Sequence, residues 1–126
     1  MTMARVVEGL LMLVPGPYRR IERDKGRSLK EIGAEGVAFT REDVLEALGC
    51  LKGSQAGVLG GDVLEVVGGK PRYTYDSWHV DKKPDEDLSD FLKRTVVETE
   101  EYVRNYPDPG DGTILYSLAV SELGVI

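Results

Sequence analysis

The sequence predicts an α+β fold, an antiparallel sheet with two helices packed on one face in a ferredoxin-like βαββαβ order, preceded by an N-terminal extension over residues 1–27. Three observations predict it. Two segments, about 41–53 and 86–106, repeat apolar residues every three or four positions, as amphipathic helices do. Four other segments are short β-rich runs bounded by turn residues. Only two of these runs, 56–67 and 71–80, are joined without a helix, which favours this layout over an open α/β sheet.

Residues 1–14 are apolar, and the spacing of Val6, Val7, Leu10 and Leu11 predicts a helix. The stretch PGPYRRIERDKGR that follows is rich in proline, glycine and charge and reads as a loop. EGVAF (35–39) is a short strand. TREDVLEALGCLKGS opens with Thr40 as an N-cap candidate and Asp43 three residues on, close to a capping box. Val44, Leu45, Leu48 and Leu51 share one face of that helix, and Gly53 stops it. AGVLGGDVLEVV (56–67) and PRYTYDSWHV (71–80) form a hairpin across Gly68-Gly69-Lys70. After DKKP, acids at Asp85 and Asp87 start the second helix. Its stripe runs through Leu88, Phe91, Leu92, Thr95, Val96, Thr99, Tyr102, Val103 and Tyr106 until Pro107 ends it. TILYSLAV (113–120) is the last strand.

Composition narrows the function. A chain of 126 residues suits one domain, here 1–126, with 41% hydrophobic and 30% charged residues, an ordinary globular balance. The net charge of −6 argues against a nucleic-acid partner, whose phosphates are bound by Lys and Arg displacing counterions. The single cysteine, Cys50, excludes an internal disulfide and a Cys-based zinc site, and its place in a helical pattern makes it a small core residue. The apolar run Leu10 to Val14 is too short for a signal-peptide core or a membrane span. A soluble, cytoplasmic protein without a membrane partner is expected.

YTYDSWHV sets Asp76, Ser77 and His79 within four positions, the residue types of a serine hydrolase. On a strand, neighbouring side chains point to opposite faces, so Ser77 and His79 share a face and Asp76 points away from both. A triad needs its base between nucleophile and orienter. No enzyme is predicted. LGGDV (59–63) lacks phosphate-loop spacing and opens no helix, so its glycines read as a bulge or a close backbone approach. The acids at Asp81, Asp85, Glu86 and Asp87, and at Glu98, Glu100 and Glu101, lack calcium-loop spacing and read as capping groups and solvated faces. No metal and no cofactor is predicted.

The aromatics are more informative, because Tyr73, Tyr75 and Trp78 fall in one strand. With an even hairpin loop, Val58, Leu64, Val66, Tyr73 and Tyr75 share one face, and Leu59, Val63, Glu65, Thr74, Asp76 and Trp78 share the other. The second set holds charges in mid-strand and is expected to be the wetter face, with Trp78 as a binding anchor supported by Asp76 and Glu65. Asp62, Glu65, Tyr75, Asp76, Trp78 and His79 are the candidate partner-binding residues.

Taken together, SLKEIG, GVAFTREDVLEALGCLK, VLGGDVLEV, YTYDSWHVDKKPDED, DFLKRTVVETEEYVRNYP and ILYSLAV resemble the immunity protein 40 family of bacterial polymorphic toxin systems, over about Ser28 to Val120. Leu-Gly-Gly-Asp-Val, followed after a hairpin by Tyr-Asp-x-Trp and a charged Lys-Pro segment, is the specific part. The resemblance implies a non-enzymatic protein, made beside a toxin, that binds the cognate toxin domain in the producing cell's cytoplasm. It places the family signature at Gly60, Gly61, Asp62, Tyr75, Asp76 and Trp78, without saying whether they contact the toxin or hold the fold. Occlusion of the toxin's active site is the expected mechanism. The alternative, from fold analogy, is a small-molecule-sensing or regulatory binding domain.

Overall fold

A computed structural model describes residues 14–122; the helix expected from Val6, Val7, Leu10 and Leu11 lies outside them. In chain order the elements are α1 (Gly16–Lys25), β1 (Arg27–Ser28), a 3₁₀ turn (Lys30–Ile32), β2 (Val37–Ala38), α2 (Arg41–Leu51), β3 (Ala56–Val67), β4 (Lys70–His79), α3 (Leu88–Asn105) and β5 (Ile114–Glu122). The class is α+β with antiparallel sheets, as expected.

The sheet order is not ferredoxin-like. β3 is central, flanked antiparallel by β4 and β5, and β1 and β2 form a separate small ribbon. The expected first strand, 35–39, is reduced to β2, and only Phe39 reaches the main sheet, bridging Tyr116 of β5. In a ferredoxin-like sheet that first strand would be central. Here the twelve-residue β3 takes the centre, pairing with β4 along one flank and β5 along the other.

PGPYRRIERDKGR forms helix α1 rather than the expected loop. Its prolines sit at the N-terminus, where a helix tolerates a missing N–H. Tyr18 and Ile21, three apart, bury themselves in the main core, and the charges lie on the outer face. Thr40 caps α2 as expected, accepting from Asp43 N at 3.3 Å. Gly68 and Gly69 both adopt positive φ (60° and 78°), as a two-residue hairpin turn of this hand requires.

α2 and α3 pack on one face of the sheet. Val44, Leu48 and Leu51 of α2 and Val96 and Val103 of α3 share a core with Val58 and Val63 of β3 and Tyr116 of β5. The opposite face is covered only in part: Leu29 and Ala38, with the half-buried Ile32 and Ala34 beside them, lie over Leu64 and Leu115. Thr95 ties α3 to the sheet. Its hydroxyl accepts from Val58 N at 2.9 Å and donates to Leu92 O at 2.6 Å.

Two bulges interrupt the central hairpin. One lies between Val58 and Gly60 against β5, the other opposite Val63, where β4 carries three residues, Thr74 to Asp76, between its register points Tyr73 and Ser77. Gly60 and Gly61 sit between them, pressed against both neighbouring strands. A Cβ on Gly60 would fall 2.2 Å from Trp78 O, and one on Gly61 2.1 Å from Ser117 O and 2.5 Å from the Trp78 ring. The glycine pair is a close backbone approach, as expected. Gly61→Ala has to move backbone on one side and the indole on the other. It should cost roughly 3 kcal/mol or more, at the upper end of overpacking effects. A urea unfolding curve superimposable on the parent's would refute this.

Candidate functional site

The bulges decide which side chains face outward. Val63 and Leu64 fall in different cores, on opposite faces of the sheet. Val58, expected beside Leu64, packs with Val63 instead, because the bulge at Leu59 shifts the alternation by one. Trp78 stands with Val63, and that face is the one the helices cover.

The expectation that Trp78 occupies the wetter face is therefore corrected. Its ring is half-buried and stacked on Tyr102, with centroids 4.6 Å apart, and Nε1 donates to Thr99 Oγ1 at 3.1 Å. Trp78 begins an aromatic series that continues through Tyr102 and Tyr106 to Tyr116, each later step 6.0 Å between centroids. Asp76 lies on the same side, and one of its oxygens accepts from the Tyr106 hydroxyl at 2.6 Å. Burial and the Asp76 carboxylate push both the Tyr102 and Tyr106 phenols up from their ordinary range.

Asp76 is thus turned to Tyr106 and not to His79. The His79 imidazole lies against Asp81, Nε2 to Oδ2 at 3.4 Å, on a side chain that is largely solvent-exposed. Asp76, Ser77 and His79 do not converge. Among the described residues no three His, Cys, Asp or Glu side chains gather in a metal-ligating group.

Tyr75, at the tip of the β4 bulge, is 92% exposed and is the one non-glycine residue of the described chain at positive φ, 72°. The bulge is braced from within, Thr74 Oγ1 donating to Val63 O at 2.9 Å and accepting from Asp76 N at 3.1 Å. A left-handed backbone costs a tyrosine roughly 1–2 kcal/mol. Strain of this kind persists where surrounding structure enforces it, commonly at functional sites. The bulge also blunts β4, the outer strand of the sheet, against strand addition, and Pro71 contributes to the same end.

An open groove of about 1000 Å³ runs around this edge at the hairpin end. Among the described residues four large apolar or aromatic side chains are markedly exposed: Val67, Tyr73, Tyr75 and Val97. The first three line this groove. Glu65 and Asp76 add carboxylates to it, and Arg72 holds Glu65 at 2.8 Å. Tyr106, Pro107 and Ile114 form its far wall. That wall is fastened by Arg41, whose guanidinium donates to Tyr106 O and stands 3.7 Å from Asp108. The nearly buried Asp108 carboxylate also accepts from Tyr116 at 2.8 Å. At the other end of β4, Arg94 pins the following loop by bonding Glu86, Glu98 and Asp81 O. Its hydrogen bonds hold the Glu86 carboxyl down at about 2.

Of the six candidate residues, the structure brings Glu65, Tyr75 and Asp76 together on this groove. Trp78 lies under α3. Asp62 is exposed but pairs with Ser77 and Ser117 on the face away from the helices, and His79 is exposed at the far end of β4. Sequence reasoning did not include Tyr73, Val67, Tyr106 or Pro107 in the site. Tyr106 and Pro107 reach it only through the packing of α3 across the sheet, although the run of tyrosines in β4 was a signal for Tyr73.

A family model described as Immunity protein 40 matches residues 28–120. No curated protein and no solved structure matches the chain. The matched span holds the sheet from β3 to Val120, the helices α2 and α3, the glycine pair and the whole groove from Ile32 to Ile114. The chain belongs to the immunity protein 40 family.

Proposed function

We propose that this protein binds a cognate toxin domain in the cytoplasm of the producing cell and neutralises it by covering its active site or substrate groove, with the β4 bulge and its groove as the contact surface. The observation that carries the reading is Tyr75, a fully presented aromatic held at 72° φ beside the exposed Val67 and Tyr73. Exposed apolar side chains concentrated in one place mark interaction sites, and tyrosine is a favoured anchor. Glu65 and Asp76 are contacts at its polar rim. The protein acts by occupancy and performs no chemistry of its own. An interface of roughly 800 Å² per partner is enough to close a substrate groove. A net charge of −6 speeds encounter with a basic partner. The groove is an open trough around a strand edge, which suits a protein surface better than an enclosed small ligand.

The test is co-expression with the toxin domain encoded beside the gene. The chain should restore growth, and the two proteins should co-purify at a one-to-one ratio. Toxicity that persists in the presence of well-folded chain, with no complex on size-exclusion chromatography, would overturn the reading.

A further inference from the structure

Beside the groove, and joined to it through Tyr106 and Pro107, lies a shallower cleft of about 410 Å³ on the C-terminal stripe of α3. Its remaining lining is Glu98, Glu101, Tyr102 and Asn105, so among the described residues no cationic side chain lines it. Two tyrosine rings 6.0 Å apart stand in it. Asp76 is bonded to one of them and raises the phenol pKa of both. Glu98 is engaged by Arg94 at 2.5 Å, which leaves Glu101 as the uncommitted carboxylate of the lining; Asp76, on the adjoining groove, is bonded to Tyr106. Aromatic faces and carboxylates both favour positive charge.

We propose that the toxin segment seated on the Tyr75 groove carries an arginine or lysine next to its apolar contact, and that this side chain enters the cleft against Tyr102, Tyr106 and Glu101, close to Asp76 on the adjoining groove. The inference rests on the proposed toxin-binding function and names the chemistry of the partner at that same surface. Its physical basis is charge complementarity. The apolar groove alone sets no sign on its occupant, since Lys70 and Arg72 offset Glu65 and Asp76 there, whereas among the described residues the only charged ones lining the adjoining cleft are Glu98 and Glu101.

The experiment measures association of the purified chain with the toxin domain encoded beside it, for the parent, Glu101→Lys, Glu101→Gln, Asp76→Asn and Tyr75→Gly, at two salt concentrations. Asn at 76 keeps an acceptor for Tyr106, and Glu101 is exposed, so thermal melting should match the parent in all three cleft variants. Glu101→Lys is expected to weaken binding by tenfold or more, and the two neutral variants severalfold, with a flatter salt dependence. An Arg→Glu or Lys→Glu change in the toxin should restore binding to Glu101→Lys. If the cleft variants bind as the parent does while Tyr75→Gly fails, the basic-side-chain proposal is overturned and the toxin-binding reading stands. If the parent itself does not bind, the reading falls first.

Discussion

Trp78→Ala should lower the stability of the protein by roughly 3–5 kcal/mol, the range for deleting a packed aromatic. The indole fills the space between Gly61 and Tyr102, and its N–H is the partner of the Thr99 hydroxyl, itself fully buried. Truncation leaves both a cavity and an unpaired buried hydroxyl, and the second adds its own cost. Trp78→Phe keeps most of the volume and loses the hydrogen bond, so it should fall between the two. Urea unfolding with an unchanged slope would measure both. A Trp78→Ala protein that unfolds with the parent's midpoint would show that the ring is not part of the core.

Tyr75→Gly should have the opposite signature. The side chain is exposed, so its loss removes no packing, and glycine adopts 72° φ without steric cost. Folding should be unchanged or strengthened by about 1 kcal/mol, the lower end of the left-handed penalty. Affinity for the toxin domain should fall by 2 kcal/mol or more, about thirtyfold at least. Tyr75→Ala should lose the same affinity without the relief in backbone strain. Calorimetry of binding and thermal melting on the three proteins separate the roles. Undiminished binding by both variants would remove Tyr75 as the anchor.

Opposite expectations for two aromatics three residues apart on one strand show where the reach of the sequence ends. Local chemistry was legible. Thr40 capping α2, the Gly68-Gly69 turn, the stripe of α3 and the turn at Pro107 each depend on residues within a few positions of one another. The squeezed Gly60-Gly61 pair was legible in kind, because two adjacent glycines in a strand have few other physical reasons. The motif pattern over residues 28–120 was sufficient to place the family. Helix α1 was missed because proline and charge outweighed the Tyr18–Ile21 spacing in a short segment. Its helicity rests on burying those two side chains in the main core, a tertiary contribution.

Which face of the hairpin is wet was not a local question. Period-two alternation carries side-chain direction along a strand only while register holds, and one extra residue reverses it. The bulge at Leu59 moved Val58 across the sheet, and the one at Thr74–Asp76 turned Tyr75 outward while Trp78 stayed under α3. The layer that covers a face is set by helices distant in sequence. The sequence by itself determined helices α2 and α3, the β3–β4 hairpin, the last strand and the family. Only the tertiary structure decided that Tyr75, not Trp78, is exposed, because that outcome depends on register and on which face α2 and α3 bury.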